Sequence, residues 1–272
     1  MNLDVVIKNI QSKKSLLCVG LDSELEKLPD VVLNTQYPQY EFNKAIIDAT
    51  ADYAIAYKPN VAFYEAAGLG GWKSLELTVR YIKDKYPDIF LIADAKLGDI
   101  GNTSKQYAKA FFDKMDFDAI TLSPYMGYDS VAPFLEYENK SVILLAITSN
   151  DSAGEIQLFE NKEGIKLFEY IISKAINWGT TEQIMFVAGA TKPDYIKVIR
   201  NITPDSFLLV PGVGAQGGSI KEVMEAGLSS NYGLMINASR SIIFASVCDD
   251  FRNSAHLSAE KLQKEIERQL SF

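Results

Sequence analysis

Eight short apolar runs punctuate the chain, and between them apolar residues return at three- and four-residue intervals. The runs are SLLCVGLD (15–22), AIAYKPN (54–60), FLIADAK (90–96), AITLSP (119–124), VILLAIT (142–148), IMFVAGAT (184–191), FLLVPGVG (207–214) and GLMINAS (233–239). Each reads as a strand. The segments Glu41 to Tyr53, Leu75 to Lys85, Thr103 to Met115 and Ile165 to Trp178 read as amphipathic crossover helices. Alternation of this kind builds a parallel sheet. Eight such units suit a closed (β/α)8 barrel, and a doubly wound open sheet is the alternative. Ahead of the first run, Leu3, Val6, Ile7 and Ile10 have helical spacing and predict a capping helix.

Two connections are longer than the rest, Ser23 to Tyr40 and Ser149 to Gly164. Both follow the C-terminal end of a strand, the face on which barrels carry their active-site loops. With no internal repeat, low-complexity tract or linker, residues 1–272 are expected to form one barrel domain.

Composition narrows the function. The 272 residues are 47% apolar, enough for one large core, and the net charge of -8 leaves no basic surface for nucleic acid or an anionic membrane. A small-molecule substrate becomes the default. No run reaches the roughly 18 to 20 apolar residues that span a bilayer, and the N-terminus lacks the pattern of a secretion signal, so a cytoplasmic protein is expected. Cys18 and Cys248 are the only cysteines, which makes a disulfide framework improbable on composition. His256 is the single histidine and falls in a helical segment, where it reads as a surface or packing residue. Without a His or Cys cluster, no metal and no cofactor are expected. The 28 Tyr and Phe residues are scattered through the helices as core.

The densest chemistry lies in IADAKLGDIGNTS, where an apolar strand ends on Asp94 and Lys96 with Asp99 in the turn beyond. Residues two apart on a strand share a face, so Asp94 and Lys96 are expected to point together. Taken alone they are equally consistent with a satisfied ion pair at the barrel rim. Lys58 ends the neighbouring strand and can reach Asp94, giving an expected alternating cluster of Lys58, Asp94, Lys96 and Asp99. Such a cluster holds a proton donor beside a fixed negative charge. A second signal is PGVGAQGG after strand seven, with four glycines between 212 and 218 and Gln216 among them, followed by Arg240 after strand eight. The glycines alone could form only a tight turn; with the arginine they predict a phosphate site, the usual use of these two loops.

These motifs together, DAKLGDIGNT with KPN and PGVGAQGG, closely resemble the orotidine 5'-phosphate decarboxylase family, in its longer bacterial branch, over essentially the whole chain. The resemblance implies decarboxylation of orotidine 5'-phosphate to uridine 5'-phosphate and CO2, the last step of de novo UMP synthesis. It implies that Asp22 binds ribose hydroxyls and that Lys58 reaches both ribose and Asp94. Asp94 and Lys96 match the family's central pair, with Lys96 stabilising and protonating the C6 carbanion. Asp99 and Thr103 match residues that enter a partner's active site, implying a homodimer. Ser149 aligns with a serine that reads the pyrimidine's amide edge, and Gln216 and Arg240 with phosphate ligands. The sequence departs from shorter members in NDSAGEIQLFENKEG after Ser149 and in KPNVAFYEA, with Tyr64 and Glu65. Two other readings stand beside this one: a Mg2+-dependent sugar-phosphate relative sharing the D-x-K-x-x-D strand, and a barrel that binds nucleotides without catalysis.

Overall fold

The computed structural model describes residues 2–213 and 217–270. Eight parallel strands close into a barrel in sequence order: β1 (Leu17–Leu21), β2 (Ala54–Pro59), β3 (Phe90–Leu97), β4 (Ala119–Leu122), β5 (Ser141–Ile147), β6 (Ile184–Ala188), β7 (Leu208–Pro211) and β8 (Leu234–Ala238). Closure is made where β1 meets β8, with Leu17 opposite Ile236, Cys18 opposite Asn237 and Val19 opposite Ala238. An open doubly wound sheet would leave both edges unpaired, so this register decides for the barrel. β1, β2, β4, β6 and β8 are buried at every position. Inward side chains fill the barrel and outward ones meet the helices, and the runs are therefore apolar without alternation.

The covering helices are α1 (Leu3–Lys13), α2 (Pro38–Thr50), α3 (Gly68–Lys85), α4 (Gly101–Ala108), α5 (Tyr128–Leu135), α6 (Leu167–Ala175), α7 (Pro193–Ile202), α8 (Ile220–Gly227) and α9 (Phe251–Gln269). Each buries one stripe; α7, for example, buries Ile196 and Ile199 and carries Asp194 in its first turn and Arg200 in its last. α2 begins at Pro38, three residues ahead of the expected start, because proline is favoured in a first helical turn, where no N–H is needed. α4 likewise starts early and continues as a wider π-helical turn over Lys109–Lys114. There Phe111 meets Phe117 and Phe112 meets Phe134, so two adjacent side chains both find partners in the core.

α1 lies where the strands begin: Leu3, Val6 and Ile10 are buried, and Lys13 donates to the carbonyls of Ala51 and Ala54, each at 2.8 Å. His256 on α9 packs edge-on against Tyr53, 5.3 Å between ring centres. Among the described residues, no helix is long and apolar enough to cross a membrane. The connection after β1 holds a 3-10 turn at Leu25–Lys27 and a short helix at Asp30–Leu33, and the one after β5 holds a short helix at Ala153–Gln157.

Candidate active site

At the C-terminal ends of β2 and β3 a buried ammonium meets a buried carboxylate. Lys58 Nζ lies 2.5 Å from Asp94 Oδ2, with 4% of the lysine and 8% of the aspartate exposed. The other carboxylate oxygen, Oδ1, takes Lys96 Nζ at 2.6 Å. Lys96 is half-exposed, so the chain of charges runs from the barrel interior out to the mouth. On the inner side Lys58 also faces Asp22 on the residue after β1, Nζ to Oδ1 3.9 Å. That Oδ1 is buried and has no hydrogen-bond partner among the described residues. It is an acceptor facing the site.

The path that brings Asp94 and Lys96 together is not the regular strand alternation expected from sequence. Ala93 pairs with Ile120, but the next pair on β3 and β4 is Leu97 with Leu122. Four steps along β3 are thus matched by two along β4, and Asp94, Ala95 and Lys96 face the single residue Thr121. Within this bulge Lys96 holds a left-handed backbone, φ 49°. For a non-glycine residue that conformation costs on the order of 1 kcal/mol or more and persists only where its surroundings impose it. Thr121 supplies one such constraint: its hydroxyl accepts the Lys96 N–H at 2.9 Å and donates to Asp94 Oδ1 at 3.1 Å. Sequence reasoning missed Thr121, whose one signal is a lone hydroxyl inside the apolar run AITL.

Burial favours the neutral forms of both Lys58 and Asp94, yet the pair remains charged. Desolvation alone would lower Lys58, but Asp94 and Asp22 outweigh it and hold the ammonium above its ordinary range. Desolvation likewise would raise Asp94, but Lys58 and Lys96 overcome it and hold the carboxyl well below the usual carboxylate range. Cys18, beneath them on β1, behaves oppositely: burial is the largest effect and pushes its thiol up to about 12, leaving it neutral.

Beside the charged row opens a cavity of about 160 Å³ whose lining includes Asp22, Lys58, Asp94, Ser149, Gly212 and Arg240. The chain ends of β1, β2, β3, β5, β7 and β8 thus contribute to one space, and five of the sequence-predicted residues share it. Asn237, Ser239 and Ser241 also line it and escaped the sequence reading. Gly20 explains how β8 comes so near β1: a Cβ there would meet Ser239 Oγ at 1.8 Å. Ser149 is held by its neighbours. Gln157, from the short helix after β5, accepts the Thr148 N–H at 2.8 Å and donates to the Thr148 hydroxyl at 2.8 Å. That hydroxyl donates onward to Asn150 at 2.6 Å, so both residues flanking Ser149 are fixed.

Three expected residues lie outside this lining: Lys96, which joins it only through its ion pair with Asp94, and Asp99 and Thr103, of which Asp99 does not join the Lys58–Asp94–Lys96 row of its own chain. Asp99 uses its carboxylate to accept the N–H of Ile100 at 2.8 Å, and its carbonyl accepts the Ser104 hydroxyl at 2.7 Å. The turn carries Asp99 past the end of β3, away from Asp94. Thr103 lies in the first turn of α4, outside the cavity lining. Gln216 lies outside the described residues.

The sequence model of the "Orotidine 5'-phosphate decarboxylase / HUMPS family" matches residues 15–249. Orotidine 5'-phosphate decarboxylase of Bacteroides fragilis is 52% identical over 270 residues, covering 99% of this chain and 98% of its own. The enzyme of the same name from Phocaeicola vulgatus is 53% identical over 268 residues, 98% of each chain. Among solved structures, Leishmania donovani OMP decarboxylase superposes with a TM-score of 0.84 at 34% identity over 99% of both chains. Leishmania donovani UMP synthase superposes with a TM-score of 0.86 at 35% identity over 98% of this chain, which spans 56% of that longer protein. With the charged row on β2 and β3 and the match running through all eight strands, the chain belongs to the orotidine 5'-phosphate decarboxylase / HUMPS family.

Proposed function

We propose that this protein is a carbon-carbon lyase that converts orotidine 5'-phosphate to uridine 5'-phosphate and CO2 in pyrimidine biosynthesis, in the cytoplasm and without metal or cofactor. The observation that carries the reading is the Lys58–Asp94–Lys96 row, of which Lys58 and Asp94 line one cavity with Asp22, Ser149 and Arg240. The family's name also covers sugar-phosphate chemistry; the relatives that are about half identical to this chain carry the decarboxylase name, which favours the nucleotide substrate.

Loss of CO2 from C6 of the pyrimidine leaves an in-plane carbanion that the ring's π system cannot delocalise. A preorganised ammonium is suited to such localised charge. Lys96 stabilises the carbanion and then gives it a proton at C6. Asp94, held ionised by its two lysines, lies against the substrate carboxylate. Two unit charges about 4 Å apart repel by roughly 4 kcal/mol at an effective dielectric near 20, and relief of that repulsion is worth about three decades of rate. More must come from Lys96 and from phosphate binding by Arg240 and Gln216, which orders the site from a distance.

Asp22 takes a ribose hydroxyl on its open acceptor atom, with Lys58 beside it. Ser149 reads the base. Asp99 and Thr103 complete the site of a second copy, so the working unit is a homodimer. In support, neither joins its own chain's cavity, and Ile100 beside them is 59% exposed.

The test is the fall in absorbance as purified protein turns over orotidine 5'-phosphate in EDTA, beside Lys96→Ala. Turnover abolished by the substitution supports substrate, acid and metal independence together. Activity on orotidine 5'-phosphate that appears only with Mg2+ keeps the substrate and overturns metal independence, and silence under all conditions leaves the sugar-phosphate chemistry or a binding protein.

A further inference from the structure

We infer that Thr121 is a positioning residue for the reaction: its hydroxyl fixes both the backbone of Lys96 and the carboxylate of Asp94, and so sets where the Lys96 ammonium stands. The inference rests on the reaction proposed above and adds a group that the charged motif does not contain.

The hydrogen-bond order at Thr121 is forced by chemistry. A backbone N–H can only donate, so the Thr121 oxygen accepts from Lys96 at 2.9 Å. An ionised carboxylate can only accept, so the single hydroxyl hydrogen goes to Asp94 Oδ1 at 3.1 Å. Asp94 Oδ1 also accepts from Lys96 Nζ at 2.6 Å. The circuit closes from the Lys96 backbone through Thr121 and Asp94 to the tip of the same lysine.

This closure matters because of where Lys96 sits. Its side chain is 49% exposed and carries four rotatable bonds, so packing alone does not fix the ammonium. Its backbone stands in a bulge, which takes the N–H away from the ladder, and in a left-handed conformation that an unconstrained lysine leaves. Thr121 stands in for the missing ladder acceptor. It is itself 1% exposed on the short strand β4, which pairs in regular register with β5 from Ala119↔Ser141 through Thr121↔Ile143 to Leu122↔Leu144. A rigid strand thus lends its geometry to the flexible end of its neighbour. Lys58 anchors Asp94 at Oδ2, so without Thr121 the carboxylate keeps its charge, but Oδ1 is left with the half-exposed Lys96 ammonium alone, and neither group then has a rigid partner to set its position.

The contacts that bind the substrate's remote parts, Asp22 and Arg240, come from other strands and do not touch Thr121. Its removal is therefore expected in kcat and not in KM. The experiment compares wild type, Thr121→Val and Thr121→Ser for turnover of orotidine 5'-phosphate, affinity for uridine 5'-phosphate and thermal midpoint. Valine keeps the shape and removes both bonds; serine keeps both bonds and removes one methyl. The expected result is a kcat about tenfold to a hundredfold lower for Thr121→Val, with KM and nucleotide affinity within about twofold, and recovery of most of kcat in Thr121→Ser. An unchanged kcat in the valine variant overturns the inference. So does a loss shared by kcat, nucleotide affinity and thermal midpoint that serine fails to restore, because that pattern marks packing alone. Wild-type protein inactive on this substrate would sink the proposed reaction itself, which separates the two failures.

Discussion

Lys58 Nζ and Asp94 Oδ2 stand 2.5 Å apart in a place where neither residue is more than 8% exposed. Removing one partner leaves the other charge buried. Lys58→Met is therefore expected to destabilise the fold by about 3 kcal/mol, besides abolishing activity, while adding Asp94→Asn to it should recover part of that loss. Urea unfolding of the two single variants and the double variant checks the sign of the coupling. Equal and additive losses would show that the pair contributes nothing as a pair.

The same pair sets a pH window for stability. The folded carboxyl of Asp94 is depressed below its ordinary 3.8, so its contribution is present above that value and is lost as pH falls toward the folded one. The folded ammonium of Lys58 is raised above its ordinary 10.5, so its contribution is full below that value and is lost only as pH climbs through the folded one. The difference in thermal midpoint between wild type and Asp94→Asn should be flat from about pH 5 to 9 and shrink below about pH 4. A difference that grows on acidification contradicts the depressed carboxyl.

Gln157 offers a test of Ser149. It brackets Thr148 through the backbone N–H and the hydroxyl, so Gln157→Ala loosens the turn that presents Ser149 to the cavity. With one or two ordinary hydrogen bonds at stake, kcat/KM for orotidine 5'-phosphate should fall about tenfold. In a Ser149→Ala background the same substitution should do almost nothing further, because the group it positions is gone. Full additivity in steady-state kinetics would break the link between them.

Most of the barrel was legible in the sequence because its signals are local. Six strands fall within the apolar runs and the other two, β3 and β5, overrun theirs by one residue, and the lysines and aspartates at the strand ends stand out as charges that an apolar strand does not carry by accident. What sequence reading misjudged was non-local. The bulge that gathers Asp94 and Lys96 opposite Thr121 depends on the register between two strands, and nothing in FLIADAK reveals it. Asn237 and Ser239 reach the cavity because β8 closes against β1 at Gly20, a contact separated by more than two hundred positions along the chain. The helix starts at Pro38 and Gly101 were missed because first turns are set by caps and connections more than by apolar periodicity.

Gly20 itself is a sharp test of that closure. A methyl there would sit 1.8 Å from Ser239 Oγ and 2.8 Å from Ser239 Cβ, so β1 or Ser239 must shift, and Ser239 leads directly into the short helix that Arg240 begins. Gly20→Ala should cost about 1–3 kcal/mol of stability, as overpacked sites do. It should also raise KM for the phosphate-bearing substrate. Thermal unfolding beside steady-state kinetics reads both effects, and a variant of normal stability and normal KM would mean that β1 and β8 are less tightly apposed.

Asp99 and Thr103 give the last prediction, since they stand outside their own chain's cavity. If Asp99 serves the site of a second copy, Lys96→Ala and Asp99→Ala are each inactive, but for reasons that reside on different chains. A mixed dimer then holds one site with both defects and one with none: Lys96 comes from the chain lacking Asp99, and Asp99 from the chain lacking Lys96. Random exchange of equal amounts makes half the dimers mixed, each with one working site of two, so activity should return to about a quarter of the wild-type level. The measurement is turnover of orotidine 5'-phosphate after co-expression or subunit exchange, with each variant alone as its control. No recovery, despite mixed dimers demonstrated by tagged chains, would place Asp99 within its own subunit's site or outside the chemistry altogether.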